Sequence, residues 1–152
     1  MRGWRLIVIG CLLNAVVSGD GWTSQSEPPD AEVALAPFAV STAQASDLRA
    51  VADGCLERLA AALAAKGVKV VRRASLDGKT LERAKPARWA VLGKFEREKD
   101  SIRAELRLME VSTGDEMRSY FHSSSDPKDM MALGTRVGER IVLFVQEKRA
   151  GR

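Results

Sequence analysis

At 152 residues with 45% hydrophobic content, the chain can build one domain with a real core and has almost nothing left for a second. The formal charge of +4 overstates its basicity, because Arg2 and Arg5 fall in an expected leader whose removal leaves 22 Lys and Arg against 20 Asp and Glu. Acids and bases interleave, as in Glu96-Arg97-Glu98-Lys99-Asp100, which excludes a long cationic stripe and makes nucleic acid an unexpected partner.

Met1-Arg2-Gly3-Trp4-Arg5 is a positive start, Leu6 to Val17 an apolar run, and Ser18 and Gly19 are small residues suited to a signal-peptidase cut. Residues 1–19 therefore read as a signal peptide cleaved near Ser18 or Gly19. The run falls short of the roughly 20 residues a helix needs to cross a bilayer. Val8-Ile9-Gly10-Cys11 resembles a lipobox, so the alternative is a lipid anchor on Cys11; that would leave only Leu6 to Ile9 as the apolar core of the leader. Once the leader is gone, Cys55 is the sole cysteine and no internal disulfide can form. Residues 20–31, with Gly21, Pro28 and Pro29 and no apolar period, read as a flexible linker, and residues 32–152 as a single domain.

Within that domain, Glu32 to Phe38 is a first strand, with Pro37 at its end or on an edge because proline cannot donate to a ladder. Ala45 to Lys66 carries Leu48, Val51, Cys55, Leu59 and Leu63 at helical spacing and stops at Gly67; Cys55 is in phase with this core face. Val68 to Arg73 is a β-branched run, expected to lie parallel to the first strand and to complete a βαβ unit. Residues 74–86 are polar, with a helical turn near Leu81. A third strand covers Ala87 to Phe95 and turns back as a hairpin through 96–101. In the next strand Ile102, Ala104, Leu106 and Leu108 alternate with Arg103, Glu105 and Arg107, the pattern of a half-buried strand.

Met109 and Val111 are apolar on the charged side of that strand, which requires a bulge or a covered second face. Beyond a Thr113-Gly114 turn, Met117 to His122 is the last strand of a three-strand antiparallel meander. Asp126 and Pro127 then supply the cap and first position of a C-terminal helix with Met130, Leu133, Val137, Ile141, Phe144 and Val145 on one face. The class is α/β, with a mixed five-stranded sheet flanked by helices.

The order of elements, with Val33-Ala34-Leu35-Ala36-Pro37-Phe38, Val51-Ala52-Asp53-Gly54, Val68 to Arg73, Trp89-Ala90-Val91-Leu92-Gly93 and Leu108 to Gly114, resembles the TolB amino-terminal domain group. The same envelope superfamily includes CsgG, LpoB and FlgO. The likeness spans residues 32–148 and implies a mixed sheet with flanking helices, a periplasmic or outer-membrane address, and work done through protein contacts without catalysis. It departs after the Thr-Gly turn, where that group often has a tryptophan and this chain has Met117 and Tyr120.

Reactive constellations are sparse. A triad or zinc site needs converging histidines, cysteines and carboxylates, and the chain has one histidine, His122, here read as a surface imidazole. Asp126 serves better as a helix cap and Asp129 as a favourable first-turn charge than as ligands. Gly78-Lys79-Thr80 echoes the end of a phosphate loop, but Arg73 stands where that loop needs its first glycine. Gly134 and Gly138, one helical turn apart, each cost roughly 1 kcal/mol against alanine, which implies close approach of the protein's own sheet or of a partner helix; Gly54 admits the same readings. No catalytic, cofactor-binding or metal-ligating residue is assigned and no cofactor is expected. The expected partner is an envelope protein, with membrane contact only if Cys11 is lipidated.

Overall fold

A computed structural model of the chain describes residues 30–41 and 45–151; the leader, Cys11 and linker residues 20–29 lie outside the described residues. Strands β1 (Val33–Leu35) and β2 (Ala39–Val40) precede helix α1 (Ala45–Ala65) and strand β3 (Val70–Arg72). Strands β4 (Trp89–Glu98), β5 (Ser101–Glu110) and β6 (Glu116–Ser124) and helix α2 (Pro127–Ala150) follow. The sheet runs β3-β1-β4-β5-β6, with β1 parallel to both β3 and β4, β2 also parallel to β4, and β4-β5 and β5-β6 antiparallel hairpins. The βαβ unit, the meander and the C-terminal helix are all present.

The first strand is broken where Pro37 falls. Leu35 pairs with Val91 and Ala39 with Lys94, so β1 and β2 spend four residues against three on β4. The extra residue bulges out and leaves Pro37 exposed, away from any ladder position that needs its missing N–H. The sheet thus counts six strands, with β2 a continuation of β1 along β4.

Both helices lie on one face. Their apolar stripes pack with Val33, Leu35, Val91, Phe95, Leu106 and Leu108 into the main core. The opposite face is split. At the parallel end, residues 74–87, including a 3-10 turn at Leu81–Ala84, fold over Ala34, Val71, Ala90 and Leu92 and form a second apolar cluster. Met109 and Val111 belong to that cluster, so a covered second face accounts for them. A bulge exists as well, but it sits in β6: Leu108 pairs with Arg118 and Met109 with Glu116, which leaves Met117 unpaired. Beyond the reach of the 3-10 segment the face of β4, β5 and β6 is open and charged, with Lys94–Glu96, Arg107–Glu105 and Arg103–Glu98 ion pairs. That is why β5 alternates cleanly until Leu108 and then stops alternating.

Helix α2 begins as its sequence requires: the Asp126 carboxylate accepts from Lys128 N–H at 2.9 Å and Pro127 takes the first position. Helix α1 ends at Gly67, whose φ of +74° lets Val68 N–H reach back to Leu63 O at 3.1 Å. The small residues of α2 correct one expectation. An alanine Cβ at Gly134 would lie 2.0 Å from Cys55 O, and one at Gly138 would lie 2.6 Å from Ala62 Cβ. The element pressed against these glycines is therefore α1, neither the sheet nor a partner. Gly54 faces the same seam from the other side, toward Met131.

Candidate functional site

The residues that could carry chemistry are few, and each has a structural occupation. Cys55 is fully buried at the α1–α2 seam. Burial pushes its thiol up to about 12, since the thiolate would lose its hydration there. In a Cys11→Ser variant, where it is the one remaining thiol, Cys55 is therefore expected to resist a disulfide reagent at about pH 8 in the folded state and to react fully after denaturation. Rapid labelling of the native protein would contradict this burial.

His122 stands on β6 opposite Ala104, on the helix-bearing face of the sheet. Its Nε2 lies 2.7 Å from Asp129 Oδ2, and Arg136, two turns further along α2, donates to Asp129 Oδ1 at 3.1 Å. His122 is half-buried, more sheltered than the surface imidazole read from the sequence, and the cluster ties an edge strand to the first turns of α2. The hydrogen bond from His122, then that from Arg136, holds the Asp129 carboxyl down to about 2. A depressed carboxyl stabilises the fold above its ordinary value of 3.8, and the stabilisation is lost as pH falls towards about 2. Denaturation midpoints measured across that window should drop in the native sequence, and Asp129→Asn should remove that part of the drop.

Asp126 caps α2 and does not join the cluster. Among the described residues no group of three or more His, Cys, Asp or Glu gathers to hold a metal ion. The Gly78-Lys79-Thr80 loop is closed from within: the Asp77 carboxylate accepts from the N–H groups of Lys79 at 2.8 Å and Thr80 at 2.9 Å. Those bonds hold the Asp77 carboxyl below its usual range and occupy donors that a phosphate would need.

What the fold leaves open is its sheet margins. β6 ends the sheet on one side with nine residues, and β3 ends it on the other with three. Phe121 projects from β6 on the face away from the helices, 61% exposed, beside the charged carpet of β5. Its exposure was not legible, because an aromatic in an alternating strand is as easily read as core. The clustering of cations near β3 was also missed: the interleaving of charge fails between Lys66 and Arg88, with eight Lys and Arg against two Asp and Glu. A count in a sliding window would have found it.

No protein-family model matches the chain, and no curated protein matches it in sequence. Solved structures do. The PelC dodecamer from Paraburkholderia phytofirmans has a TM-score of 0.51 and 20% identity over 73% of this chain and 86% of that one. Protein XCC0632 from Xanthomonas campestris reaches a TM-score of 0.52 at 10% identity, over 78% and 88%. TolB from Acinetobacter baumannii also matches, at 0.47 and 12%, over 72% of this chain and 27% of that one. The fold is the shared feature. Among the described residues no helix is long and apolar enough to cross a membrane.

Proposed function

We propose that this chain is an exported, periplasmic, non-catalytic interaction domain of the bacterial cell envelope, which recruits or regulates a protein partner through its sheet margins. The observation that carries the reading is the pair of sheet edges at β3 and β6, neither of which pairs with a further strand among the described residues. Unpaired strand edges are templates for another chain, and folds that do not use them usually cover or blunt them. Around them the interior is built from apolar side chains: among the described residues no polar or charged residue is buried, although the indole N–H of Trp89 is. The leader at 1–19 supplies the export route and the resemblance to the TolB group supplies the address.

Photo-crosslinkers placed at Phe121 and Arg72 in intact envelopes test this. A discrete adduct with one envelope protein is the expected result, and capture of general periplasmic chaperones alone would remove the proposal's support. The lipid-anchored alternative is decided by mass spectrometry of the mature amino terminus, where a diacylated Cys11 would establish it and a free Gly19 or Asp20 would eliminate it. The likeness to a PelC dodecamer makes a second copy of this chain one admissible partner, visible as a multiple of the protomer mass in light scattering.

A further inference from the structure

We propose that the β3 margin is a docking strand for an extended acidic segment of a partner protein, which adds to the sheet beside Val70–Arg72. The inference deepens the interaction reading above and rests on it. Three independent features of this margin converge on such an occupant.

The first is the backbone. Val33 N–H donates to Lys69 O at 3.1 Å and Arg73 N–H to Leu35 O at 2.8 Å, within the register that pairs Val33 with Val70 and Leu35 with Arg72. In a strand the N–H and C=O of alternate residues point the same way. Residues 69, 71 and 73 therefore address β1, and Val70 and Arg72 turn their N–H and C=O outward, where no further strand lies among the described residues.

The second is charge. The segment from Lys66 to Arg88 holds eight Lys and Arg against two Asp and Glu, leaving 16 against 18 in the rest of the chain. Its two halves are drawn together, because the Arg73 guanidinium donates to Arg83 O and to Lys85 O, both at 2.6 Å. Lys69 is paired with Asp30 and Arg72 with Glu57. Lys66, Lys79, Arg83 and Lys85 are exposed, and among the described residues none of them makes an ion pair. Asp30, Asp53 and Glu57 from other elements offset part of this excess, and the unpaired cations leave the margin net positive, which favours a segment of opposite charge and speeds its encounter.

The third is a crevice. Beyond Leu35 the chain bulges at Pro37, continues along β4 as β2 and then enters α1 on the helix-bearing face, whereas beyond β3 it turns to the opposite face, where residues 74–87 lie. Divergence of two adjacent parallel strands at their carboxyl ends opens a cleft, the usual place for a ligand in α/β sheets. Here it measures about 480 Å³, lined by the apolar Leu35, Ala36, Pro37 and Leu56, by the Arg72–Glu57 pair and by Asp53, whose carboxylate is held by Arg49. Both side chains of the Arg72–Glu57 pair are largely exposed, so exchanging Glu57 for a partner's carboxylate costs little. An added strand can place one apolar side chain in the cleft and its acidic neighbours against the cations. A flat anionic bilayer would use the charge but neither the outward backbone groups nor the cleft.

The test uses the exported chain with the blocked peptide Ac-(Glu-Val)4-amide, its Lys-Val counterpart and phosphatidylglycerol vesicles as probes. The acidic peptide is expected to bind and to shift the Val70 and Arg72 amide resonances. Val70→Pro, which removes an outward N–H and spares the bonds to β1, should weaken it at least tenfold. Should Val70→Pro fail to fold, the double charge reversal Lys66→Glu/Lys85→Glu, on exposed side chains, carries the same expectation. The proposal is overturned if the acidic peptide does not bind, if the basic peptide binds equally, or if the shifts fall on β6. It is also overturned if vesicles bind with the same charge dependence while Val70→Pro leaves peptide affinity unchanged. In envelopes, an adduct from Phe121 with none from Arg72 would sink the docking strand and leave the broader function standing; adducts from neither would remove both.

Discussion

Replacing Gly134 with alanine is expected to destabilise the fold by about 3 kcal/mol, although alanine is the better helix former by roughly 1 kcal/mol. The added Cβ would sit 2.0 Å from Cys55 O, 2.9 Å from Cys55 C and 3.0 Å from Leu59 N. All three are backbone atoms of α1, so no side-chain rotation relieves the clash and the two helices must separate. Separation loosens a seam lined by Leu59, Leu133 and Val137. Gly54→Ala provides the contrast. There the obstruction is Met131 Sδ at 2.5 Å and Cγ at 2.9 Å, the adaptable end of a flexible side chain, and the loss should stay below about 1 kcal/mol. Urea denaturation followed by circular dichroism separates the two. Wild-type stability or better for Gly134→Ala would mean that α1 and α2 do not meet at this point.

The second large effect is at Trp89. Its ring is 1% exposed and meets the Phe144 ring edge-on at 5.5 Å between centroids, at the joint between the first residue of β4 and the last turns of α2. Trp89→Ala should cost about 3–5 kcal/mol through lost transfer energy and the cavity left behind. The indole Nε1 has no hydrogen-bond partner among the described residues, and an unmet buried N–H is itself worth about 1–3 kcal/mol of destabilisation. Trp89→Phe removes that N–H and keeps a ring against Phe144, so it should lose far less than the alanine variant. Equal losses for the two, read from the same urea titrations, would show that the ring contact contributes little.

These two sites mark how far the residues could be read by themselves. Spacing at 134 and 138 shows that something comes close to one face of α2, but the spacing of one helix carries no information about what lies opposite. A β-strand, a neighbouring helix and a foreign chain make the same demand for small side chains. The apolar pair Met109 and Val111 is similar: alternation failed visibly, and only the 3-10 segment folded over the second face explains where those side chains go. For His122, residues 129 and 136 share one face of α2, yet the strand that brings the imidazole to them is placed by the β5–β6 register. Phe121 and the basic run from Lys66 to Arg88 became surfaces of interest only once β6 and β3 proved to be the two ends of the sheet.

Local order in the chain determined the elements themselves. The period-two pattern of 102–108, the capped amphipathic run after Asp126 and the helix stop at Gly67 are short-range consequences of side-chain direction, hydrogen-bond capping and backbone freedom. Such features need no knowledge of distant residues. Tertiary structure alone decided which faces are covered, which glycines meet which backbone, and which strands end the sheet with unpaired groups. Those outcomes depend on contacts between residues far apart in the chain, where burial of apolar area selects one arrangement among several that satisfy the same local pattern.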